Sequence, residues 1–471
     1  MKIADLPYTF FCTGARNQTI LPLFNSACLS FEIDERAASF KALGFAKSTK
    51  QPVAICTTSG TAVSECLSSM VEAYYSDVPL VLITGDRPAR MQKTGAPQTI
   101  NHEIITREYR KTFLEVSLHE LQNLDFSKFF YPAHINVIVE NDSEVDSSLA
   151  PFYESNWDGF GLFLKENPRP LILVTHESDS MREFVNEIIL TGLPFYAESL
   201  SQAHDISLIK YEIDCIKLLN ENFFTSVIRI GHTPLSKAWR LLEKKHLPTF
   251  SFDSRGFSAL SYGSLMRYSS NELIRLDIWN RCLSTIKPFH LALKTSHELN
   301  LLLKKFPQSE LTFHMHLQNL IPEGAHVFIG NSLSIRFFEM IQTRNYKIFG
   351  NRGANGIDGQ LATSIGLALS TKETVYCILG DITAQYDLSS IACLPHNLKL
   401  VIVNNFGGRI FNVMKMNSQM VMEHELDFEK IAKAFGLTYA KNNFEFFNSV
   451  QVFEMNPSNQ ETLALLKSWD A

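Results

Sequence analysis

Thr374-Val-Tyr-Cys-Ile-Leu-Gly-Asp381 and Lys399-Leu-Val-Ile-Val-Asn-Asn405 are two apolar runs closed by polar residues, and the stretch between them decides the fold. From Tyr386 to Leu394 the residues carry a helical pattern, so the unit reads as strand, helix, strand. A right-handed crossover puts both strand ends on one edge of a parallel sheet. Asp381 and Asn405, 24 positions apart, then meet at that edge. A carboxylate, an amide oxygen and a nearby backbone carbonyl are the hard oxygen ligands that Mg²⁺ takes while it stays in contact with phosphates. Gly407 and Gly408 follow at once and let the backbone approach phosphate oxygens. A strand-end turn and a loop Asn-Asn pair would be the plainer reading of either half. Both halves together, in strand context, favour a metal–diphosphate site.

Working outward, 471 residues allow about three domains of ~150 residues. With 45% hydrophobic and 20% charged residues the composition is that of a globular chain, not a disordered one. No apolar stretch approaches the ~18 residues of a membrane span, and Met1-Lys-Ile-Ala-Asp-Leu-Pro-Tyr8 lacks an apolar signal core, so the reading is cytoplasmic. The eight cysteines form no Cys-x-x-Cys pair and suggest neither zinc nor a disulfide framework. A formal charge of -6 without a basic stripe argues against nucleic acid. His314 and His316 show no metal-ligand spacing and read as core or surface residues.

From Cys28 the chain alternates strand-like runs with helical patterns: Leu29 to Ile33, a helix from Glu35 to Ala46, Val53 to Thr57, a helix from Thr61 to Tyr75, then Leu80 to Thr84. Ala133 to Val139 closes this block, and the acidic stretch from Glu140 to Asp146 suits a linker. A second α/β block opens at Pro168, continues through Ser226 to Gly231 and fades near Phe289; a third runs from about His297. The expected fold class is therefore α/β, with three doubly wound parallel-sheet domains over 1–150, 165–290 and 297–471. The first and third are candidates for similar sheets facing one another.

The spacing of Gly380-Asp381 and Asn404-Asn405 resembles the thiamin diphosphate motif of 2-oxoacid decarboxylases and their relatives. Further strings narrow the likeness: Gly14-Ala-Arg16, Asp34-Glu-Arg36, Thr58-Ser-Gly-Thr-Ala62, Gly85-Asp-Arg-Pro88, Gly95-Ala-Pro-Gln98, His134-Ile-Asn-Val137, Ser236-Lys237, Gly330-Asn-Ser-Leu333 with Arg336, Asn351-Arg-Gly-Ala-Asn-Gly-Ile-Asp-Gly359, and Ile410-Phe411. Their order resembles that of the 2-succinyl-5-enolpyruvyl-6-hydroxy-3-cyclohexene-1-carboxylate synthase (MenD) family of menaquinone biosynthesis, over nearly the whole chain. The resemblance implies three domains of the thiamin diphosphate-dependent decarboxylase type: a pyrimidine-binding first domain, a central domain and a diphosphate-binding third.

That family decarboxylates 2-oxoglutarate on thiamin diphosphate and adds the four-carbon carbanion equivalent to isochorismate, a transketolase-type C–C bond formation. The resemblance implies Glu35 as the catalytic proton relay, bonded to the cofactor's pyrimidine ring nitrogen. On the residues alone, Glu35 is also a helix-start acid behind an Asp34 N-cap. Implied cofactor contacts are Ile357, Gly380, Asp381, Ile382, Thr383, Asn405, Gly407 and Gly408. Among them Asp381, Asn405 and Gly407 hold Mg²⁺, or Mn²⁺ in its place. Ile357 resembles the apolar wedge between the cofactor's rings and reads equally well as core. Implied substrate contacts are Arg16, Arg87, Gln98, Lys237, Ser332, Arg336 and Arg352, with Ile410 and Phe411 as an apolar wall.

Two dicarboxylate substrates demand fixed cations, and a planar guanidinium grips a carboxylate with two parallel hydrogen bonds. Taken singly, each arginine is also a surface ion pair worth ~0–1 kcal/mol. The chain departs from the family pattern at Ala15, where a hydroxyl is usual, at Ala238, where a cation is usual, and in its short N-terminus. The resemblance implies a homodimer at least, commonly a homotetramer, with the two domains that face one cofactor supplied by different subunits. Another thiamin diphosphate-dependent carboligase or decarboxylase, or a shortened non-catalytic paralogue, are the alternative readings.

Overall fold

The computed structural model describes residues 1–471 except 15, 87–99, 140–156, 176–192, 202, 204–206, 210, 233, 235–236, 254–262, 268–296, 342–343 and 470–471. Among the described residues, β1 (Thr9–Cys12), β2 (Leu29–Glu32), β3 (Val53–Thr57), β4 (Leu80–Asp86), β5 (Thr112–Val116) and β6 (Ala133–Ile138) form a sheet in the order β2-β1-β3-β4-β6-β5. A central sheet follows from β7 (Pro170–Val174), β8 (Phe195–Ala197), β9 (Ser226–Ile230), β10 (Thr249–Asp253) and β11 (Ser264–Arg267), ordered β11-β10-β9-β7-β8. The third sheet contains β12 (His326–Ile329), β13 (Lys347–Phe349), β14 (Val375–Gly380), β15 (Leu398–Val403), β16 (Tyr439–Lys441) and β17 (Val452–Met455), ordered β13-β12-β14-β15-β17-β16. Every pairing within the three sheets is parallel. Helices cover both faces, so β3, β4, β6, β7, β9 and β10 are buried end to end and read as continuous apolar runs.

The first and third sheets follow the same path, and each has the strand that opens it second from one edge. The α/β, parallel-sheet class expected from sequence is the one observed. Several details differ. β1 precedes Cys28, where the alternating pattern of the sequence begins; its four residues are all buried, but so short an apolar run carries little signal. The helix expected from Tyr386 to Leu394 is two helices, Asp381–Tyr386 and Leu388–Ile391, because Asp387 interrupts it. Thr61–Glu65 and Leu67–Tyr75 are likewise separated at Cys66. The acidic stretch at 140–146 and the end of the second block near 289 lie outside the described residues.

Five helices position the site: α1 (Glu35–Thr49), α2 (Glu310–Leu320), α3 (Leu333–Ile341), α4 (Gln360–Leu369) and α5 (Asp381–Tyr386). Helices α1 and α4 occupy matching places in the two six-stranded units, and they pack against each other. The contact is backbone on backbone. A Cβ at Gly44 would sit 1.8 Å from the Thr363 carbonyl oxygen, and one at Gly366 would sit 1.8 Å from that of Lys41. Each helix thus offers one glycine to the other's carbonyl. At the start of α4, Gly359 (φ +65°) leaves room for the Phe40 ring, which a Cβ would approach to 2.0 Å.

At the same end Asp387, fully buried, accepts from Arg36 Nη1 at 2.7 Å and from the Gly359 and Ala362 N–H groups at 3.2 Å each. One carboxylate therefore joins the first turns of α1 and α4, where the helix dipole also favours an anion. Helix propensity alone predicts that Gly366→Ala stabilises by about 1 kcal/mol. The crossing dictates the opposite: a loss of ~1–3 kcal/mol or more, measured by urea unfolding, because neither backbone can yield locally.

Candidate active site

The strand–helix–strand unit around Asp381 places its residues through the register Gly380↔Val403, which sets the ends of β14 and β15 side by side. Asp381 opens α5 and is buried. Its Oδ1 accepts from the Ile382 N–H at 2.7 Å and its Oδ2 from the Gly407 N–H at 2.9 Å. Burial raises the Asp381 pKa, and those two N–H groups oppose the shift. Thr383, one turn into α5, is buried; Ile382 is half-buried.

The two asparagines divide their work. Asn404 gives its amide to Glu454 at 2.9 Å and accepts the Phe406 N–H at 3.2 Å, so it secures the loop. Asn405 gives its Nδ2 to Glu310 Oε2 at 3.0 Å, while its Oδ1 is buried with no hydrogen-bond partner. Gly407 takes φ +137°, where a Cβ would meet the Val421 carbonyl oxygen at 2.8 Å. Its own carbonyl accepts from the Arg409 N–H at 2.8 Å and keeps a second lone pair. A carboxylate, an orphaned amide oxygen and a loop carbonyl form the hard-oxygen donor set that suits Mg²⁺ beside a diphosphate. His424 Nε2 also lies 3.1 Å from Asp381 Oδ2, off the line of a hydrogen bond. Since His424 Nδ1 accepts the Leu426 N–H at 3.1 Å, the neutral ring carries its proton on Nε2, toward the aspartate.

Arg336, Arg352, Ser332 and Lys237 come together where the third sheet's unit meets the central one. Asn331 is the hub. It accepts from Arg352 Nη1 at 2.9 Å and gives its amide to the Asn351 and Gly356 carbonyls at 2.9 and 2.7 Å. Ser332 holds φ +74°, a left-handed geometry that costs a non-glycine residue about 1–3 kcal/mol, and its carbonyl accepts from Arg336 Nη1. Burial and the neighbouring Arg336 charge push Arg352 down to about 10, with Glu198 and Glu72 opposing. Buried acids balance these cations. Glu339 accepts from the Tyr196 hydroxyl and from the Ser199 N–H at 2.8 Å, and Glu212 accepts the Lys237 N–H at 2.7 Å. Burial, with Glu339 close by, raises Glu212 to about 7 although Lys237 and Arg336 oppose it. Lys237 itself is exposed, and Ile410 packs against the core cluster that includes Leu333 and Phe337 of α3, the helix that also carries Arg336. Phe411 is half-buried, its ring 3.2 Å from where a Gly408 Cβ would stand.

A second clamp holds the loop that carries Arg352 and Ile357. Glu72 accepts the Gly353 and Ala354 N–H groups at 3.1 and 2.8 Å. Lys47 binds Glu72 at 2.9 Å, the Gly350 carbonyl at 2.7 Å and Asn351 Oδ1 at 2.8 Å, all buried. Ile357 is half-buried on this loop. Neither Lys47 nor Glu72 was foreseen from sequence, because the bonds between Glu72 and the loop span 281 and 282 positions.

Glu35 starts α1 and is half-buried, with Asp34 as its N-cap, accepting the Ala37 N–H at 2.9 Å. Gly14, Thr58 and Gly85 converge at the strand ends of the first sheet: a Cβ at Gly14 would lie 2.5 Å from Thr58 Cβ, and one at Gly85 would lie 2.9 Å from the Arg16 backbone. Arg16 is thereby placed at that edge. Arg87, Gln98 and Ala15 lie outside the described residues. Among the described contacts, none joins Glu35 to Asp381 or Asn405. Ala238 is fully buried in the central core with Leu171, Cys215, Leu219 and Leu242, so in this chain the position serves packing. Among the described residues no cluster of three His, Cys, Asp or Glu side chains is arranged for a metal ion, and no helix is long and apolar enough to cross a membrane.

Residues 2–105 match the N-terminal TPP binding domain of thiamine pyrophosphate enzymes. The fold matches a solved structure from Mycobacterium smegmatis, described as a candidate thiamin diphosphate-dependent enzyme, at TM-score 0.69 and 15% identity over 96% of both chains. Paired parallel sheets and a Gly-Asp/Asn-Asn edge thus define a thiamin diphosphate-dependent enzyme that forms C–C bonds. The chain is 30% identical to the 2-succinyl-5-enolpyruvyl-6-hydroxy-3-cyclohexene-1-carboxylate synthase of Bdellovibrio bacteriovorus, over 98% of this chain and 94% of that one. It is 29% identical to the synthase of the same name from Akkermansia muciniphila (96% and 93%) and 28% identical to that of Bacillus velezensis (91% and 86%). The chain belongs to this synthase family.

Two outcomes follow from the buried charges. Lys47→Met strands the Glu72 carboxylate and costs ~3–5 kcal/mol in denaturant unfolding, much of it regained in Lys47→Met/Glu72→Gln. Glu212 binds its proton more tightly in the folded chain, at about 7 against 4.5, so its contribution is full below 4.5 and is lost as pH rises through about 7. Glu212→Gln therefore flattens the stability–pH curve between those values and is the more stable form at pH 8, by on the order of 3 kcal/mol.

Proposed function

We propose that this enzyme decarboxylates 2-oxoglutarate and adds the four-carbon unit to isochorismate, giving 2-succinyl-5-enolpyruvyl-6-hydroxy-3-cyclohexene-1-carboxylate for menaquinone biosynthesis. One observation carries the reading: Arg336, Arg352 and Lys237 lie at one domain boundary, near the apolar Ile410 that opens the short helix Ile410–Val413 after the Asn405 edge. Two dicarboxylates need such a set of fixed cations. The relatives bear the name of this reaction.

Thiamin diphosphate, when bound, supplies the carbon nucleophile and electron sink that side chains lack. Asp381, Asn405 and the Gly407 carbonyl would hold Mg²⁺, and Gly380, Ile382, Thr383 and Gly408 would border the diphosphate. Glu35 would be the group that exchanges a proton with the cofactor's pyrimidine ring, and Ile357 would support the ring pair. Arg352 and Arg336 orient the substrate carboxylates through paired N–H donors, Ser332 and Lys237 add single contacts, and Arg16, Arg87 and Gln98 approach from the first domain. Ile410 and Phe411 keep water from the reacting carbon.

The working unit is a homodimer at least, or a homotetramer, with residues 1–150 of one subunit and 297–471 of another around each cofactor. Exposed apolar side chains flank both halves: Ile33 (95% exposed), Phe31 and Tyr386 near Glu35 and α5, and Phe406, Met414, Met416, Met420 and Met422 beyond Asn405. So large an apolar display next to a polar site is what a partner subunit covers. Free thiols at Cys12, Cys56, Cys66, Cys215 and Cys377 fit a reducing, cytoplasmic setting.

The test is loss of isochorismate absorbance with 2-oxoglutarate, thiamin diphosphate and Mg²⁺, each omitted in turn. Loss that needs all of them, with CO₂ released, is expected; turnover of pyruvate in preference to 2-oxoglutarate would refute the assignment. Glu35→Gln should lower kcat by ~10²–10⁴-fold while Mg²⁺ and diphosphate binding persist. Arg352→Met should lower kcat/KM by ~10–150-fold, the equivalent of ~1.5–3 kcal/mol for a charge-assisted contact.

A further inference from the structure

Glu310 is an acid where an acid is costly. It is the first residue of α2, only 1% exposed, and its carboxylate meets one hydrogen-bond donor among the described groups, Asn405 Nδ2 at 3.0 Å. Its other oxygen has no hydrogen-bond partner; the His314 ring, one turn along α2 and fully buried, stands 3.8 Å from it. The Glu310 N–H is taken by Thr462 Oγ1 at 2.9 Å, so the side chain is not needed to finish the helix start, which Ser309 already caps.

A carboxylate only accepts hydrogen bonds, so the Asn405 amide must turn its NH₂ to Glu310 and its oxygen the other way. That oxygen is the buried, unpartnered Oδ1. The Asn405 backbone is fixed separately, its carbonyl accepting from Arg409 Nε and Asn459 Nδ2 at 2.9 Å each. With the main chain held and the NH₂ pinned, one rotational choice remains, and Glu310 makes it.

We propose that Glu310, backed by His314, is a positioning residue that presents the Asn405 amide oxygen rather than its NH₂ to the divalent cation. This rests on the reading that Asp381 and Asn405 bind that cation. Without Glu310 the amide is free to flip, and a cation facing two N–H donors is repelled. Outer-shell groups of this kind change metal affinity by ~10–100-fold.

The experiment is a Mn²⁺ titration of the full-length protein with thiamin diphosphate, read by electron paramagnetic resonance, on wild type, Asp381→Asn, Glu310→Ala and Glu310→Gln. Circular dichroism and thermal unfolding verify that each variant is folded. Glu310→Ala should bind Mn²⁺ ~10–100-fold more weakly. Glu310→Gln, whose amide oxygen still accepts from Asn405, should stay within about threefold of wild type at unchanged pH, the spread a retained hydrogen bond leaves. Wild-type affinity in Glu310→Ala, or equal weakness in Glu310→Gln, overturns the positioning role. Undiminished binding in Asp381→Asn overturns the metal assignment itself, so the two failures are distinguishable.

Discussion

Everything in this enzyme hangs on the close crossing of α1 and α4. Two sheets of the same topology meet through equivalent helices, and each helix lends a glycine, Gly44 or Gly366, to the other's backbone carbonyl. Such an approach is rigid because backbones cannot change rotamer. It fixes the start of α1, where Glu35 sits, relative to the loop from Asn351 to Gly359 that opens onto α4. Asp387 joins the two helix starts, and Lys47 with Glu72 fastens the loop farther along. Within one chain Glu35 and the loop that carries Arg352 are thus held rigidly, each presented to a different site that a neighbouring subunit is proposed to complete.

Charge is arranged on that frame by setting Arg336 and Arg352 against buried acids. Arg336 and Arg352 repel each other across the domain boundary; Glu198 and Glu72 offset this at Arg352, and Glu212 faces Arg336. Glu212 is itself raised to about 7 by burial, so near neutrality it carries only part of a negative charge. The same division occurs at the cation edge, where Glu454 and Glu310 take the amide NH₂ groups of Asn404 and Asn405. Only the second asparagine is left with an unspent oxygen.

Much of this was legible in the sequence, for a physical reason. Buried parallel strands are short continuous apolar runs, and ligands gather where such strands end, so Gly380-Asp381 and Asn404-Asn405 marked the edge from spacing alone. Asp34 read correctly as the cap of α1. Illegible were the groups whose meaning lies in distant neighbours. Glu310 meets Asn405 across 95 positions and Arg36 meets Asp387 across 351, and an isolated Glu or Asp in a helix looks like surface.

Each chain carries Glu35 on one sheet edge and Asp381 with Asn405 on another, and we propose that a neighbouring subunit completes the site at each. Mixing inactive Glu35→Gln and Asp381→Asn subunits tests it most directly. A site shared between subunits predicts that mixed dimers regain turnover of isochorismate and 2-oxoglutarate, since one of their two sites has both residues intact. Complete inactivity in verified mixed dimers would contradict it and place both residues in the same subunit's site.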